Sequence, residues 1–143
     1  MRFLSDRVMN RHETWRAIAA AVGHWALRGY GQWVVTLRET GEAIGRSGLY
    51  YPESWPALEV GYVIAPEHQG RGYATEAAGA ALRYAREVLN AERVCSLVRP
   101  ANMASRRVTE KLGGVVEQTI DLLGTEALMY VYPMSSTDSR RLT

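Results

Sequence analysis

"APEHQGRGYATEAAGAAL", residues 65–82, runs from a proline through two closely spaced glycines into an alanine-rich stretch. From Tyr73 onward Ala77, Ala78, Ala81, Leu82, Ala85, Val88 and Leu89 recur at helical spacing, which predicts a helix over 73–89 with that face buried. Gly70 and Gly72 therefore stand where this helix begins. Glycine costs backbone entropy, so two of them here imply either a tight strand-to-helix turn or a close approach to the backbone. In the second case the site suits an anion, because the first amides of a helix are unpaired and sit at the positive end of its dipole. Arg71, between the glycines, adds mobile positive charge. Two familiar phosphate loops are excluded. Gly72 is followed by Tyr73 and Ala74, not by Lys and Ser/Thr, and the third position of a dinucleotide-binding glycine pattern counted from Gly70 falls on Thr75. On the glycines alone, turn and binding site stay equally open.

Working outward, "ALEVGYVI" (57–64) reads as a strand that Pro66 stops, and "QWVVTLRETGEAIGRSGLYY" (32–51) as an antiparallel hairpin around "ETGE". Further upstream, Asn10 and Glu13 form a capping-box pattern that opens a helix with Trp15, Ile18, Val22 and Trp25 on one apolar face. Gly29 and Gly31 close that helix, and His24 beside the face reads as a structural histidine. Downstream, "RVCSLV" (93–98) is a buried strand, parallel to 57–64 if the helix crosses over between them. A short helix near 104–112 ends at Gly113 and Gly114, and strands near 115–120 and 127–132 form a hairpin around "DLLGT". The class is α/β (α+β), with one domain over 1–133 and a polar, disordered tail expected over 134–143.

The bulk properties are those of a soluble globular chain: 143 residues, 47% hydrophobic and 22% charged. A net charge of +2 gives no reason to expect nucleic acid. The longest apolar run, "AIAAAVGHWAL", is too short and interrupted to span a bilayer, and no secretion signal opens the chain, so the cytoplasm is the expected compartment. Cys95 is single, lies in an apolar strand, and reads as a small core residue.

"QGRGYA" (69–74) fits Q/R-x-x-G-x-G/A, with Gln69, Gly72 and Ala74 at the fixed positions, and "RPANMASRRVTEKLGG" (99–114) follows the next strand. Together they resemble the two signature motifs of the GNAT superfamily of acyl-CoA-dependent N-acyltransferases. "GYATEA" combined with N-x-x-S-x-x-V-x-E-K-L-G is similar to the branch containing ribosomal-protein N-terminal (alanine/serine) acetyltransferases. The resemblance implies a GNAT fold: a mixed, mostly antiparallel sheet with a central parallel strand pair splayed at a bulge, flanked by helices. It also implies that the first strand and helix of the family are missing here, either because the sequence starts late or because the domain works without them, which would expose a sheet edge beside "QWVVTLRE". That edge would then pair in a homodimer or be covered by the first helix. Acetyl-CoA is the implied cofactor and acetyl donor, with no metal. Its pyrophosphate would lie on Gln69, Gly70, Arg71, Gly72, Tyr73 and Ala74. Its pantetheine arm would meet the backbone of Val63 and Ile64 on one side and Asn102 and Ser105 on the other. Arg106, Arg107 and Lys111 either meet phosphates or form a solvated face.

The same resemblance implies direct attack by the amine, so Cys95 is not needed as a nucleophile. Glu59 interrupts an apolar strand where several relatives place a carboxylate; it is either the general base or a residue that orders the sheet, for instance by pairing with Arg46. Many relatives use a tyrosine as the acid at the position held here by Thr109. Ser105 is the replacement, unless its hydroxyl only caps the helix or binds the pantetheine. Trp33, Tyr50, Tyr51 and Trp55 line the acceptor cleft or simply pack. The acceptor is a protein N-terminus or a small amine, with no nucleic acid or membrane partner, and a free α-amine suits a weakly placed base better than lysine does. The alternative is a non-catalytic acyl-CoA-binding or sensor module.

Overall fold

A computed structural model describes residues 7–134. The tail expected over 134–143 lies, but for Met134, outside the described residues. The order is α1 (Arg11–Arg28), β1 (Gln32–Thr36), β2 (Ala43–Tyr50), β3 (Leu58–Ile64), α2 (Tyr73–Glu87), β4 (Val94–Val98), α3 (Met103–Lys111), β5 (Val115–Leu122) and β6 (Thr125–Val131). They build one six-stranded sheet in the order β1-β2-β3-β4-β6-β5. All neighbours are antiparallel except β3 and β4, which α2 joins as a crossover. The mixed sheet and its parallel pair are as the sequence implied.

The larger part of the core lies on one face of the sheet, and a smaller cluster of Ala57, Cys95 and Met129 is separate from it. Leu58 and Val60 of β3, Leu49 of β2, Val94 of β4 and Tyr132 pack against Ala78, Ala81, Leu82 and Ala85 of α2. The small alanines let the helix lie close to the sheet, and the apolar spacing of α2 is thereby explained. Val88 departs from the expectation: it is 56% exposed as the C-cap of α2, whereas Leu89 after it still packs against the core.

The departure at α1 is larger. Its capping box forms as read, with the Asn10 side chain accepting from the Glu13 amide and Glu13 returning the bond. Its apolar face, however, buries nothing: Trp15, Ile18 and Val22 are 66%, 59% and 66% exposed. Only the last turns reach the sheet. There the Trp25 indole donates to Gln32 O (3.1 Å), and His24 bonds Tyr30 O (2.9 Å) while accepting from the Tyr51 amide (2.8 Å). His24 is thus the structural histidine expected. β1 is an edge strand, and α1 touches it through Trp25 without lying along it.

Candidate active site

The β3–α2 connection is held open by its own side chain. Gln69 donates from Nε2 to Ile64 O (2.9 Å), tying the loop to the end of β3 across a short turn at Pro66–His68. Gly70 and Gly72 adopt φ of 76° and 84°, the left-handed region in which other side chains are strained. A β-carbon at either would meet no atom of the described residues within 4 Å, so none of them fills the space directly in front of this backbone. Gly72 is the N-cap of α2 and supplies no side-chain cap, and the first helical bond is Glu76 N to Gly72 O (3.0 Å). The amides of Tyr73, Ala74 and Thr75 therefore precede the helix ladder with no side chain to satisfy them. Unpaired amides, an open approach and exposed Arg71 fit a pyrophosphate.

Beside this loop the sheet opens. β3 and β4 pair only at Leu58↔Val94 and Glu59↔Cys95. Immediately beyond, the Ser96 hydroxyl donates to Val60 O (2.7 Å) and shares a 2.7 Å bond with the Tyr132 hydroxyl, so a side chain takes the place of the next ladder bond. The splay expected at a bulge is thus made by ending the parallel ladder. The backbones of Val63 and Ile64 lie beyond that point, where an extended arm would enter.

α3 closes the far side. Asn102, not Ser105, is its N-cap: the Asn102 side chain accepts from the Ser105 amide (3.1 Å). The Ser105 hydroxyl instead meets the Tyr62 hydroxyl at 2.8 Å, and Tyr62 also reaches Ser105 O at 3.0 Å. Burial pushes the Tyr62 phenol up, with bonds from Ser105 and Thr109 working against it. Thr109 is fully buried, and its hydroxyl lies beside those of Tyr62 and Tyr132 without a bond of good geometry. Tyr62 is thus a cleft hydroxyl that sequence reading did not single out. Of the candidate phosphate cations, Arg106 is spent on Pro100 O (3.2 Å) and the Tyr130 hydroxyl (3.2 Å), whereas Arg107 and Lys111 are exposed.

Glu59 occupies the last paired rung, directly before the splay. Burial pushes its carboxyl up to about 7, opposed only by the Trp55 indole, which donates to Oε2 at 2.6 Å. Arg46 is not its partner; that guanidinium donates to the Gln32 side chain. Glu59 is therefore a half-buried carboxyl without a cation among the described residues, poised to exchange a proton near neutrality. Tyr50 packs edge-on to Trp55 (5.3 Å between ring centres) beside it, whereas Trp33 packs on Trp25 and Tyr84, and Tyr51 lies under Arg28. Cys95 is wholly buried, and burial first, then the Glu59 charge, push its thiol up to about 12. It is a core residue, as expected.

The sequence profile of the GNAT acetyltransferase domain matches residues 1–115. The chain belongs to the GNAT acetyltransferase family. Among curated proteins it is 38% identical over 97 residues to YkkB, an uncharacterized protein of Bacillus subtilis, which covers 65% of this chain and 56% of that one. The GNAT chain thus spans little more than half the length of this relative. Among solved structures, a GNAT-family acetyltransferase from Bordetella pertussis superposes with a TM-score of 0.81 at 25% identity, covering 91% of this chain and 81% of that one. Two more share the fold at lower identity. The ribosomal-protein-S5-alanine acetyltransferase of Vibrio fischeri has a TM-score of 0.70 and 20% identity, with 87% and 73% covered. The yncA acetyltransferase of Salmonella typhimurium, solved with acetyl-CoA, has 0.74 and 19%, with 92% and 78% covered.

Proposed function

We propose that this GNAT domain is an acetyl-CoA-dependent N-acetyltransferase acting on a primary amine by direct attack in a ternary complex. The observation that carries the reading is the placement of Glu59: a carboxyl held near neutrality, with no cation beside it among the described residues, at the rung where the parallel strands part. Acetyl-CoA, when bound, supplies an acetyl thioester. The open glycine loop at the start of α2 suits its pyrophosphate, and the gap beyond Glu59 suits its extended arm. That yncA, on the same fold, is solved with acetyl-CoA supports acetyl-CoA as the donor.

The chain's own residues then handle two protons. As the amine nitrogen bonds to the acetyl carbon, it must lose a proton, and Glu59 in its ionised form accepts it, directly or through one water. As the carbon–sulfur bond breaks, the sulfur carries the electron pair away, and the paired hydroxyls of Tyr62 and Ser105 offer a proton to it. Bulk water returns that proton to the hydroxyls and takes the one on Glu59, leaving an amide and a free thiol. Burial of Tyr62 disfavours its phenolate, so the pair works as a relay of short-lived charge. Asn102 and Ser105 would hold the arm from the α3 side. The acceptor class on this reading is a small amine or a protein N-terminus. The test is thiol release from acetyl-CoA over a panel of amines and peptides. Release above the hydrolytic background with at least one acceptor is expected; tight CoA binding with no release on any acceptor would point instead to a non-catalytic acyl-CoA sensor.

A further inference from the structure

The side of the sheet opposite α2 carries Glu59; it is buried around Cys95 and Met129 and exposed at Arg46 and Tyr50. Strand registers place Tyr50 beside Glu59, Gly48 beside both Gly61 and Gln32, and Arg46 beside Val63 and Val34. Since paired residues point to the same side, these side chains share one surface. Arg46 is exposed there and has no carboxylate partner among the described residues; it donates to Oε1 of Gln32. A guanidinium can only donate, so this bond fixes the Gln32 amide with Oε1 toward Arg46 and its Nε2 donors turned away from it. They turn toward Gly61. A β-carbon at Gly61 would lie 3.7 Å from Gln32 Nε2 and 3.7 Å from Glu59 Oε1, so the two groups flank an open ledge and stand within twice that distance of each other. The ledge has a proton acceptor at one end and, at the other, only donors: one neutral amide and one cation without a counter-charge. Tyr50 and Trp55 wall the Glu59 end.

We propose that the acceptor is a small primary amine that also bears a carboxylate, a short amino acid lying across Gly61. Its amine meets Glu59, and its carboxylate accepts from Gln32 Nε2 and the Arg46 guanidinium. This rests on the acetyltransferase reading and deepens it. Arginine binds carboxylates in charge-assisted, often paired bonds, and the Gln32 bond already holds this one in place. The same cation repels a second ammonium, which disfavours polyamines at this ledge.

The test compares glycine, β-alanine and γ-aminobutyrate with their uncharged amides and with spermidine, by thiol release, in the wild type, Arg46→Lys and Arg46→Ala. At least one carboxylate amine should exceed its own amide by about tenfold or more in kcat/KM, and spermidine should rank below it. In Arg46→Ala that preference should collapse toward parity, with Arg46→Lys keeping part of it. Calorimetry adds a readout separate from turnover: the N-acetyl product of the preferred amine should bind the CoA complex of the wild type and bind that of Arg46→Ala more weakly. Amides or spermidine turned over as well as their acids, or a carboxylate preference that survives Arg46→Ala, would overturn the proposal while leaving the acetyltransferase reading intact. Absence of thiol release with every acceptor, peptides included, would remove the reading and this inference with it.

Discussion

The two ends of β3 carry the two halves of the candidate site, and they are built from opposite materials. Past Ile64 the working groups are backbone amides, and the residues that matter do so by lacking side chains. Around Glu59 the backbone is ordinary strand, and the working groups are side chains brought from β1, β2 and the loop before β3. On the proposed reading the first kind of site is local: Gln69 to Ala74 would suffice, and adding atoms should harm it more than removing them. The second is assembled across strands, and removing a single charge harms it.

That contrast can be tested by substitution, starting with the largest effect. Glu59→Gln keeps the shape and can still accept from Trp55, but it cannot take a proton, so the rate on an amine should fall about 100-fold. CoA affinity by calorimetry should barely change. The loss should be full above pH 7 and shrink as pH falls through about 7, where the wild-type carboxyl itself becomes protonated. A rate loss independent of pH would make Glu59 a structural residue.

At the other end, Gly72→Val should weaken CoA binding about tenfold or more, by strain at φ 84° and by placing methyls where the open approach lies. Gly124 provides the matched control, with φ 85° and equally open surroundings at the β5–β6 turn. Gly124→Val should show a similar loss of thermal stability with CoA affinity intact. Equal affinity losses in the two variants would erase the distinction between the loop and any other strained turn.

A smaller effect is expected between the ends. Tyr62→Phe should slow turnover roughly tenfold without changing CoA affinity, and Ser105→Ala should add little to it, because the two hydroxyls act as one unit. Independent, multiplying losses would separate them.

The smallest effect concerns stability. The Glu59 carboxyl titrates near 4.5 in an unfolded chain and about 7 in the folded one. Between those values the unfolded chain has released a proton that the folded chain keeps, so stability falls as pH rises through that window and stays lowered above it. Glu59→Gln should therefore be more stable than the wild type at pH 8, by about 1–2 kcal/mol. The gain should vanish below pH 4.5, as denaturant titrations at the two pH values would read. A variant less stable at pH 8 would mean that ionised Glu59 stabilises the fold.

The same contrast explains what the sequence disclosed. The glycine loop and the α2 core face were legible because each depends on residues close together in the chain, and the parallel pair because a strand–helix–strand order implies a crossover. Comparison of α1 with α2 marks the limit. Both carry apolar residues at helical spacing, yet α2 buries Ala78, Ala81, Leu82 and Ala85 while α1 leaves Trp15, Ile18 and Val22 in the open. Periodicity reports that a face exists; whether a surface stands opposite depends on tertiary placement. Arg46 and Gln32 were illegible as a site for a related reason. Their relation to Glu59 follows from the registers of β1 on β2 and β2 on β3, which no local pattern states. Tyr62 escaped because its partner Ser105 lies beyond the whole crossover, 43 residues along the chain.

Cys95, the one thiol in 143 residues, sits beside Glu59 on the adjacent parallel strand with no solvent exposure and a thiol pushed up to about 12. Thiolate is the reactive form, so the folded chain is silent toward thiol reagents. Colour developed in a CoA-release assay then belongs to product, with no background from the enzyme. The silence also has a converse. Once the sheet opens, one equivalent per chain becomes labelable, and timed alkylation of unmodified protein reads the opening of the parallel rung from within, with no engineered probe.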